Sequence, residues 1–251
     1  MKKAFWCLVL LALWELGVRL SHVSPLIVPG IPDVARALYR DLTQGDLLWQ
    51  TCFSVLLIVL GIIVAFLLAV LFCILARLHP VLRDLMQTLT TIAHPLPGIA
   101  LMPLIILWFG TGTGAVFAIL VHSALWPLFL NLMTGLERTP LIYTDVGQNL
   151  SLSETRILFD IRFRYAMPDL ISGMKTGWAR AWRAFIGAEM VFGAVGSHGG
   201  LGSYLLNRRT FMDTAGLFAG LVLVVAIGIL VEEGLFRHIE RSTVERWGME
   251  R

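Results

Sequence analysis

The sequence contains few charged residues for its length. Only 15% of its 251 residues are Asp, Glu, Lys or Arg, whereas soluble domains contain about 25%. Residues 49–76 and 85–136 contain no charged residue at all. Because 57% of the residues are hydrophobic, this composition excludes an ordinary soluble domain and indicates an integral membrane protein.

Residue patterns for metal, nucleotide or nucleic-acid binding are also missing. Cys7, Cys52 and Cys73 lie in apolar stretches without metal-ligand spacing, and His94 and His122 are isolated, so we interpret all five as packing residues. The glycine-rich run at residues 110–114 is not followed by the Lys and Ser/Thr of a phosphate-binding loop. We therefore predict that the chain binds no cofactor or metal, and its net charge of +3 does not indicate nucleic acid.

Long apolar stretches predict an all-α, polytopic membrane protein with six transmembrane helices. A helix of about 20 apolar residues spans a bilayer. The basic residues concentrate between the stretches on one side, so the positive-inside rule places both termini and residues 137–170 in the cytoplasm. The chain is expected to form a single transmembrane domain over residues 1–251, with spans near 5–20, 52–76, 86–109, 115–136, 171–194 and 214–231.

Residues 137–170 form the longest polar segment and contain helix-start signals. Thr139 precedes Pro140, the pattern of an N-cap followed by proline at the first helical position. Ser151 and Glu154 have the spacing of a capping box. These signals predict two short helices joined by a turn near residues 148–151. A structured hairpin between membrane helices indicates a docking surface for a cytoplasmic partner.

The fifth predicted span is unusual because it contains charged residues, which are costly in a membrane and face a cavity or each other. One interpretation is that an aromatic stripe with a neighbouring arginine lines a pathway for a small anion or an aromatic solute. The other interpretation is that the stripe is packing and that the charges form interhelical pairs. The predicted pathway residues are Trp178, Trp182, Arg183, Phe185 and Glu189, and Lys175 and Arg180 are the other charged residues of this span.

A resemblance to a known family covers nearly the whole chain, and three parts of the sequence carry most of it. These parts are HPLPGIALMPLIILWFGTG at 94–112, AEMVFGAVGSHGGLG at 188–202 and a final apolar helix with a basic tail. Through them the chain resembles the permease subunits of ABC importers, in the group for sulfonates, taurine and nitrate. Such permeases contain an EAA loop with the pattern E-A-A, three residues, G, nine residues, I-x-L-P. Here the register gives Asp145-Val146-Gly147, Ser151 and Ile161-Arg162-Phe163-Arg164. The acidic start and Ile161 match, the other motif positions are replaced, and Pro168 matches a second proline of the group.

The resemblance implies that the hairpin over 137–170 docks into a groove on a cytoplasmic ABC ATPase. It also implies a dimer of ATPases that binds ATP and magnesium, an external substrate-binding protein, and a second permease copy in a bacterial inner membrane. A homodimer is favoured over a heterodimer. The substrate would be a small solute such as a sulfonate, a nitrate-like anion or a small heterocycle. The residues expected to couple to the ATPase are Asp145, Gly147, Ser151, Leu152, Glu154, Arg156, Phe159 and Ile161.

Two alternatives belong to other functional classes. A stand-alone secondary carrier or channel would not need a docking hairpin, and it would transport without an ATPase. An intramembrane protease needs a nucleophile and a base that face each other. His122 and Ser123 are the nearest pair, but neighbours on a helix point about 100° apart. We therefore expect a transport subunit without catalytic activity of its own.

Overall fold

The computed structural model describes residues 2–21, 24–193 and 199–246, and all regular structure in these residues is helical. Thirteen α-helices follow one another along the described chain, with one short 3₁₀ turn and three π-helical segments. The α-helices are α1 Lys2–Ser21, α2 Ile31–Thr43, α3 Leu47–Leu78, α4 Pro80–Ala93, α5 Met102–Phe109, α6 Thr113–Glu137, α7 Leu141–Asn149, α8 Glu154–Arg156, α9 Phe163–Tyr165, α10 Met167–Phe192, α11 Leu201–Thr210, α12 Thr214–Ile229 and α13 Arg237–Glu240.

Three helical segments of the described chain are long and apolar enough to cross a membrane, namely Leu47–Leu78, Thr113–Glu137 and Thr214–Glu245. The last of these runs from α12 through α13 and includes the π-helical stretches Leu230–Phe236 and Arg241–Glu245. A fourth span results if the bent pair Pro80–Ala93 and Gly98–Phe109 counts as one crossing. The all-helical class is therefore confirmed, and the count of six spans stays a prediction.

The predicted third span is not one continuous helix. Its two halves meet at an angle of 95°, and the break follows Ala93, where α4 ends. Pro95 and Pro97 supply no backbone N–H and cannot continue the helical ladder. The chain resumes as a 3₁₀ turn at Gly98–Leu101 before α5. The expected single span near residues 86–109 therefore consists of two helical segments separated by a turn.

The chain divides into two compact units, each built from two separate stretches of sequence. The first unit contains Met1–Leu56 and Ile186–Ile227. Val34, Ala37 and Ala219 form its buried apolar cluster, against which Trp14 and Phe218 pack. Helix α11, Leu201–Thr210, also belongs to this unit, and residues 194–198 lie outside the described part of the chain.

The second unit contains Leu57–Phe185 and Gly228–Arg251, and α6 is its most deeply buried helix. Ile119, Leu120 and Leu128 are fully buried. Glycines on the neighbouring helices let the backbones approach α6: a Cβ at Gly61 would lie 2.3 Å from a Leu120 methyl, and one at Gly173 would lie 2.9 Å from the Asn131 Cβ. Close approach through small residues is typical of helix packing in membranes.

Candidate functional site

The aromatic stripe of α10 lies inside the second unit. Trp178 and Trp182 are 5% and 6% exposed, and Phe185 is fully buried. The two indole rings stack with centroids 5.7 Å apart and an interplanar angle of 15°. Packing of this kind fixes the position and rotation of α10, and it agrees with the packing interpretation of the stripe.

The arginines of α10 line a cavity of about 340 Å³ in the same unit. Arg183 is solvent-exposed, and Arg180 donates a hydrogen bond from Nη1 to the His94 carbonyl oxygen at 3.0 Å. This carbonyl is available because the helix breaks at residues 94–97. The described lining also includes Pro95, Leu96, Pro97, Gly98, Ile99, His122, Ser123, Trp126 and Ala184.

The polar side chains of this cavity are cations and hydrogen-bond donors. Trp126 donates from Nε1 to Nδ1 of His122 at 3.1 Å. In a neutral imidazole this contact leaves the proton on Nε2, and the buried Nε2 has no protein acceptor in regular hydrogen-bond geometry among the described residues. The Ser123 hydroxyl donates to the Ile119 carbonyl oxygen at 2.8 Å. No carboxylate belongs to the described lining, so the cavity suits an anion.

Sequence reasoning selected Arg183 but treated His94 and His122 as packing residues. A helix interrupted by two prolines frees backbone groups and brings such side chains to a cavity wall, and this signal was present in the sequence. Among the described residues no cluster of three or more His, Cys, Asp or Glu side chains could hold a metal ion.

Glu189, the last residue of the predicted stripe, belongs to the first unit and is fully buried. Its carboxylate accepts hydrogen bonds from the backbone N–H groups of Gly200 at 2.7 Å and Gly202 at 2.9 Å. Ser54 accepts the neighbouring N–H of Leu201 at 2.8 Å. These groups cap α11, whose first N–H groups have no partner within the helix. A Cβ at Gly200 would lie within 2.7 Å of both Glu189 oxygens, so the close approach requires glycine.

The hairpin consists of two helical arms, as predicted, but its capping residues differ from the prediction. Pro140 itself takes the N-cap position of α7, without a side-chain hydrogen bond. Ser153 caps the second arm by accepting the N–H of Arg156 at 3.4 Å. The predicted caps, Thr139 and Ser151, were therefore wrong. The second arm continues from α8 through a π-helical segment, Ile157–Arg162, to α9.

The structure explains two replaced positions of the EAA pattern. Ser151 has φ +55°, a backbone conformation that glycine adopts more easily than other residues, and Ser151 stands at the glycine position of the motif. Gly147 stands at an alanine position and is buried. A Cβ there would lie 2.8 Å from Ile161 and 3.0 Å from Ile157, so a small residue is needed for the two arms to pack together.

The outward surface of the hairpin is apolar on its first arm. The exposed apolar side chains of α7 and the following turn are Leu141, Ile142, Tyr143, Val146 and Leu150. Of the predicted coupling residues, Asp145, Ser151, Glu154, Arg156 and Phe159 are exposed, Leu152 and Ile161 are half-buried, and Gly147 is buried.

Comparison with known proteins shows the family to which the chain belongs. Residues 57–245 match the family model described as the binding-protein-dependent transport system inner membrane component. The chain belongs to this family of transport permeases.

The probable ABC transporter permease protein of Haemophilus influenzae is 29% identical over 222 residues, which cover 88% of each chain. The taurine transport system permease protein of Escherichia coli is 25% identical over 232 residues, covering 90% of this chain and 83% of that protein. The riboflavin transport system permease protein of Chloroflexus aurantiacus is 29% identical over 245 residues, covering 96% and 87%.

Other relatives are permeases of nitrate and bicarbonate transport systems. The chain is thus an ABC transporter permease of the importer group to which the sequence pointed. Members of this family are membrane components that work with an ATPase and a substrate-binding protein.

Proposed function

We propose that this chain is the transmembrane subunit of an ATP-driven importer of a small anion, such as a sulfonate or a nitrate-like oxyanion. A binding protein delivers the substrate from outside, and a cytoplasmic ATPase dimer hydrolyses ATP. The permease itself performs no chemistry. The chain crosses a bacterial inner membrane six times, with both termini and the hairpin in the cytoplasm. Two permease copies form the pathway, and we favour a homodimer over a heterodimer.

The anion preference rests on the cavity of Arg180 and Arg183. A cation in a membrane segment is stable only with a counter-charge, a hydrogen-bonded partner or water. Arg180 has a carbonyl partner, and the cavity beside it has room for a small solute. Guanidinium groups bind sulfonates and oxyanions through paired N–H donors. Taurine, the substrate named for one relative, contains a sulfonate group, which fits this donor set.

Within this proposal, the remaining pathway residues position the arginines. The stacked Trp178 and Trp182, together with Phe185, hold the segment of α10 that contains Arg180 and Arg183. Glu189 joins the end of α10 to the start of α11. Substrate would therefore contact Arg183 and the cavity side chains, while the aromatic stripe supports them.

The coupling surface is the exposed face of α7. Leu141, Ile142 and Val146 present apolar area to the solvent, and an exposed apolar patch on a compact element is typical of a docking site. Asp145, Glu154 and Arg156 supply a charged rim, and Phe159 adds a second apolar anchor that is 52% exposed. Contact between Gly147 and Ile161 keeps the two arms together so that force is transmitted.

The decisive experiment is uptake into proteoliposomes that contain the permease, its ATPase and its binding protein. We expect Arg183→Ala to lower the uptake rate at least tenfold while the ATPase still co-purifies with the permease. Lys175→Ala is the matched control, because Lys175 lies on the same helix but pairs with Glu240 at 3.9 Å outside the cavity. Normal uptake by Arg183→Ala would contradict the proposed pathway.

The coupling surface is tested by adding one charge to α7. Val146→Asp should release the ATPase from the purified complex, and Gln148→Asp, which adds the same charge at an exposed polar position, should retain it. If both variants retain the ATPase, the docking surface lies elsewhere. Uptake that proceeds without ATP or ATPase would instead favour a stand-alone carrier.

A further inference from the structure

A second cationic cavity lies in the same unit, where α3 and α6 end and where α4 and the hairpin begin. Its volume is about 530 Å³, and its polar lining consists of Arg77, Arg83, Arg162, Glu137 and Thr139. The other described lining residues are apolar. None of these polar residues belongs to the substrate cavity or to the exposed face of α7.

The charges in this cavity are not balanced. Arg83 forms an ion pair with Glu137, whereas Arg77 and Arg162 form no ion pair in the described part of the chain. Three arginines therefore line the cavity, and Glu137 is the one carboxylate in its described lining. An anion between Arg77 and Arg162 would balance this excess of positive charge.

Two buried polar atoms at this cavity also have no hydrogen-bond partner within residues 2–21, 24–193 and 199–246. Thr139 is 7% exposed, and its hydroxyl oxygen has no hydrogen-bond partner among the described residues. The Nε of Arg162 is also buried and has no partner in the described part of the chain. Buried polar groups are nearly always hydrogen-bonded, so each exception requires an explanation.

We propose that this cavity binds a phosphate oxyanion, held by the guanidinium groups of Arg77 and Arg162 and by the Thr139 hydroxyl. Guanidinium groups match the geometry of phosphate oxygens. The phosphate can belong to a phospholipid headgroup or be free in solution. Arg77 lies near the end of the membrane-crossing helix α3, and basic pockets between membrane helices on the cytoplasmic side bind anionic headgroups.

A bound phosphate would connect the membrane helices to the coupling hairpin. Arg77 lies on α3, Thr139 lies just before α7, and Arg162 ends the π-helical segment of the second arm. A single ligand contacting all three would hold both arms against the helix ends. The occupant would therefore regulate how firmly ATP-driven movement of the hairpin reaches the membrane helices.

The test uses the complete permease–ATPase complex, purified and placed in nanodiscs of phosphatidylcholine with or without phosphatidylglycerol. Native mass spectrometry counts retained phosphatidylglycerol, and thermal unfolding is recorded during titration with inorganic phosphate. The variants are the double substitution Arg77→Gln/Arg162→Gln and the nearly isosteric Thr139→Val, which preserves every charge. Arg241→Gln is the control, because Arg241 is an exposed arginine of the C-terminal segment and does not line the cavity.

If a lipid headgroup is the ligand, the wild-type complex retains phosphatidylglycerol, both test variants retain at least fivefold less, and phosphate has no effect. If free phosphate is the ligand, it raises the unfolding temperature of the wild type, and the variants require at least tenfold more phosphate for the same rise. Equal lipid retention and equal phosphate response in the wild type and in both variants would overturn the proposal. Uptake of the transported anion is not measured, so this outcome is independent of the proposed substrate.

Discussion

Arginine serves different purposes in two polar regions of this protein. In the first unit, Asp41 pairs with Arg40 at 2.8 Å and Arg208 at 2.9 Å, and it accepts the Tyr204 hydroxyl at 2.6 Å. In the second unit, Arg183 lines a cavity whose described lining has no carboxylate. The arginines paired with Asp41 therefore hold helices of the first unit together, whereas Arg183 lines a cavity and is solvent-exposed.

The Asp41 cluster connects three helices of the first unit. Asp41 lies on α2, Tyr204 and Arg208 lie on α11, and Asp213, which pairs with Arg208 at 2.8 Å, precedes α12. Burial by itself raises the pKa of Asp41, but the hydrogen bonds from Arg40 and Tyr204 and the charges of Arg208 and Arg40 outweigh it, so the pKa is lower than usual. Burial and the hydrogen bond to Asp41 raise the pKa of Tyr204, which keeps this hydroxyl protonated as a donor.

The largest loss of stability is expected when the Asp41 cluster is disrupted. Asp41→Ala should lower the free energy of unfolding by about 3 kcal/mol, because removing one partner of a buried ion pair leaves charge without compensation. We choose the lower end of the usual range because the Arg40 side chain is 54% exposed and can be hydrated. Thermal or denaturant unfolding in detergent measures the loss.

Asp33→Ala is the control for this substitution. Asp33 pairs with Arg36 at 3.0 Å on the same helix, but their side chains are 41% and 77% exposed. Exposed pairs contribute about 0–1 kcal/mol. Equal losses for Asp33→Ala and Asp41→Ala would show that burial does not distinguish the two pairs.

The buried carboxylate of Glu189, which accepts backbone N–H groups, should give an intermediate effect when it is removed. Glu189→Ala removes the acceptors of the Gly200 and Gly202 N–H groups and should cost about 2 kcal/mol. Amide hydrogen exchange of residues 200–202 should accelerate, because the start of α11 loses its cap. Ser54→Ala, which removes a single neutral acceptor, should cost about 1 kcal/mol, and a loss equal to that of Glu189→Ala would contradict this account.

Acidification should lower the contribution of Asp41 to the stability of the folded protein. The pKa of Asp41 is depressed in the folded protein, so its contribution is complete above the unfolded pKa of about 3.9 and is lost as pH falls through the folded pKa. The stability difference between the wild type and Asp41→Asn should therefore be constant near neutral pH and shrink below about pH 4. A difference that shrinks already between pH 8 and pH 6 would exclude Asp41 as the titrating group.

The smallest effect on stability is expected for Arg183, which lines the cavity of the second unit. Arg183→Gln should change the free energy of unfolding by less than about 0.5 kcal/mol, as is usual for an exposed side chain without a buried partner. The same unfolding assay checks this expectation, and uptake should still be lost. A stability loss as large as that of Asp41→Ala would mean that Arg183 is a structural residue, and the contrast between the two regions would disappear.

Much of the hairpin was predictable because its signals are local. A polar segment between apolar stretches, a proline at the start of the first arm and a serine-rich turn indicated two short helices, and both arms are present. The choice between Ser151 and Ser153 as the cap was not predictable. Ser151 takes a positive φ, which is not the extended backbone of an N-cap residue, whereas Ser153 has that extended conformation.

The helical class, the membrane location and the transporter family all follow from the sequence alone, because apolar length, charge depletion and motif spacing are properties of the chain order. The sequence also identified Arg183 as a residue that needs an explanation. Which charges are neutralised depends instead on the folded structure. The 95° bend at residues 94–97 brings the His94 carbonyl to Arg180, and the close approach at Gly200 directs Glu189 to backbone N–H groups. Such pairings join residues that are not neighbours in the chain, so they follow from three-dimensional packing and not from local sequence patterns.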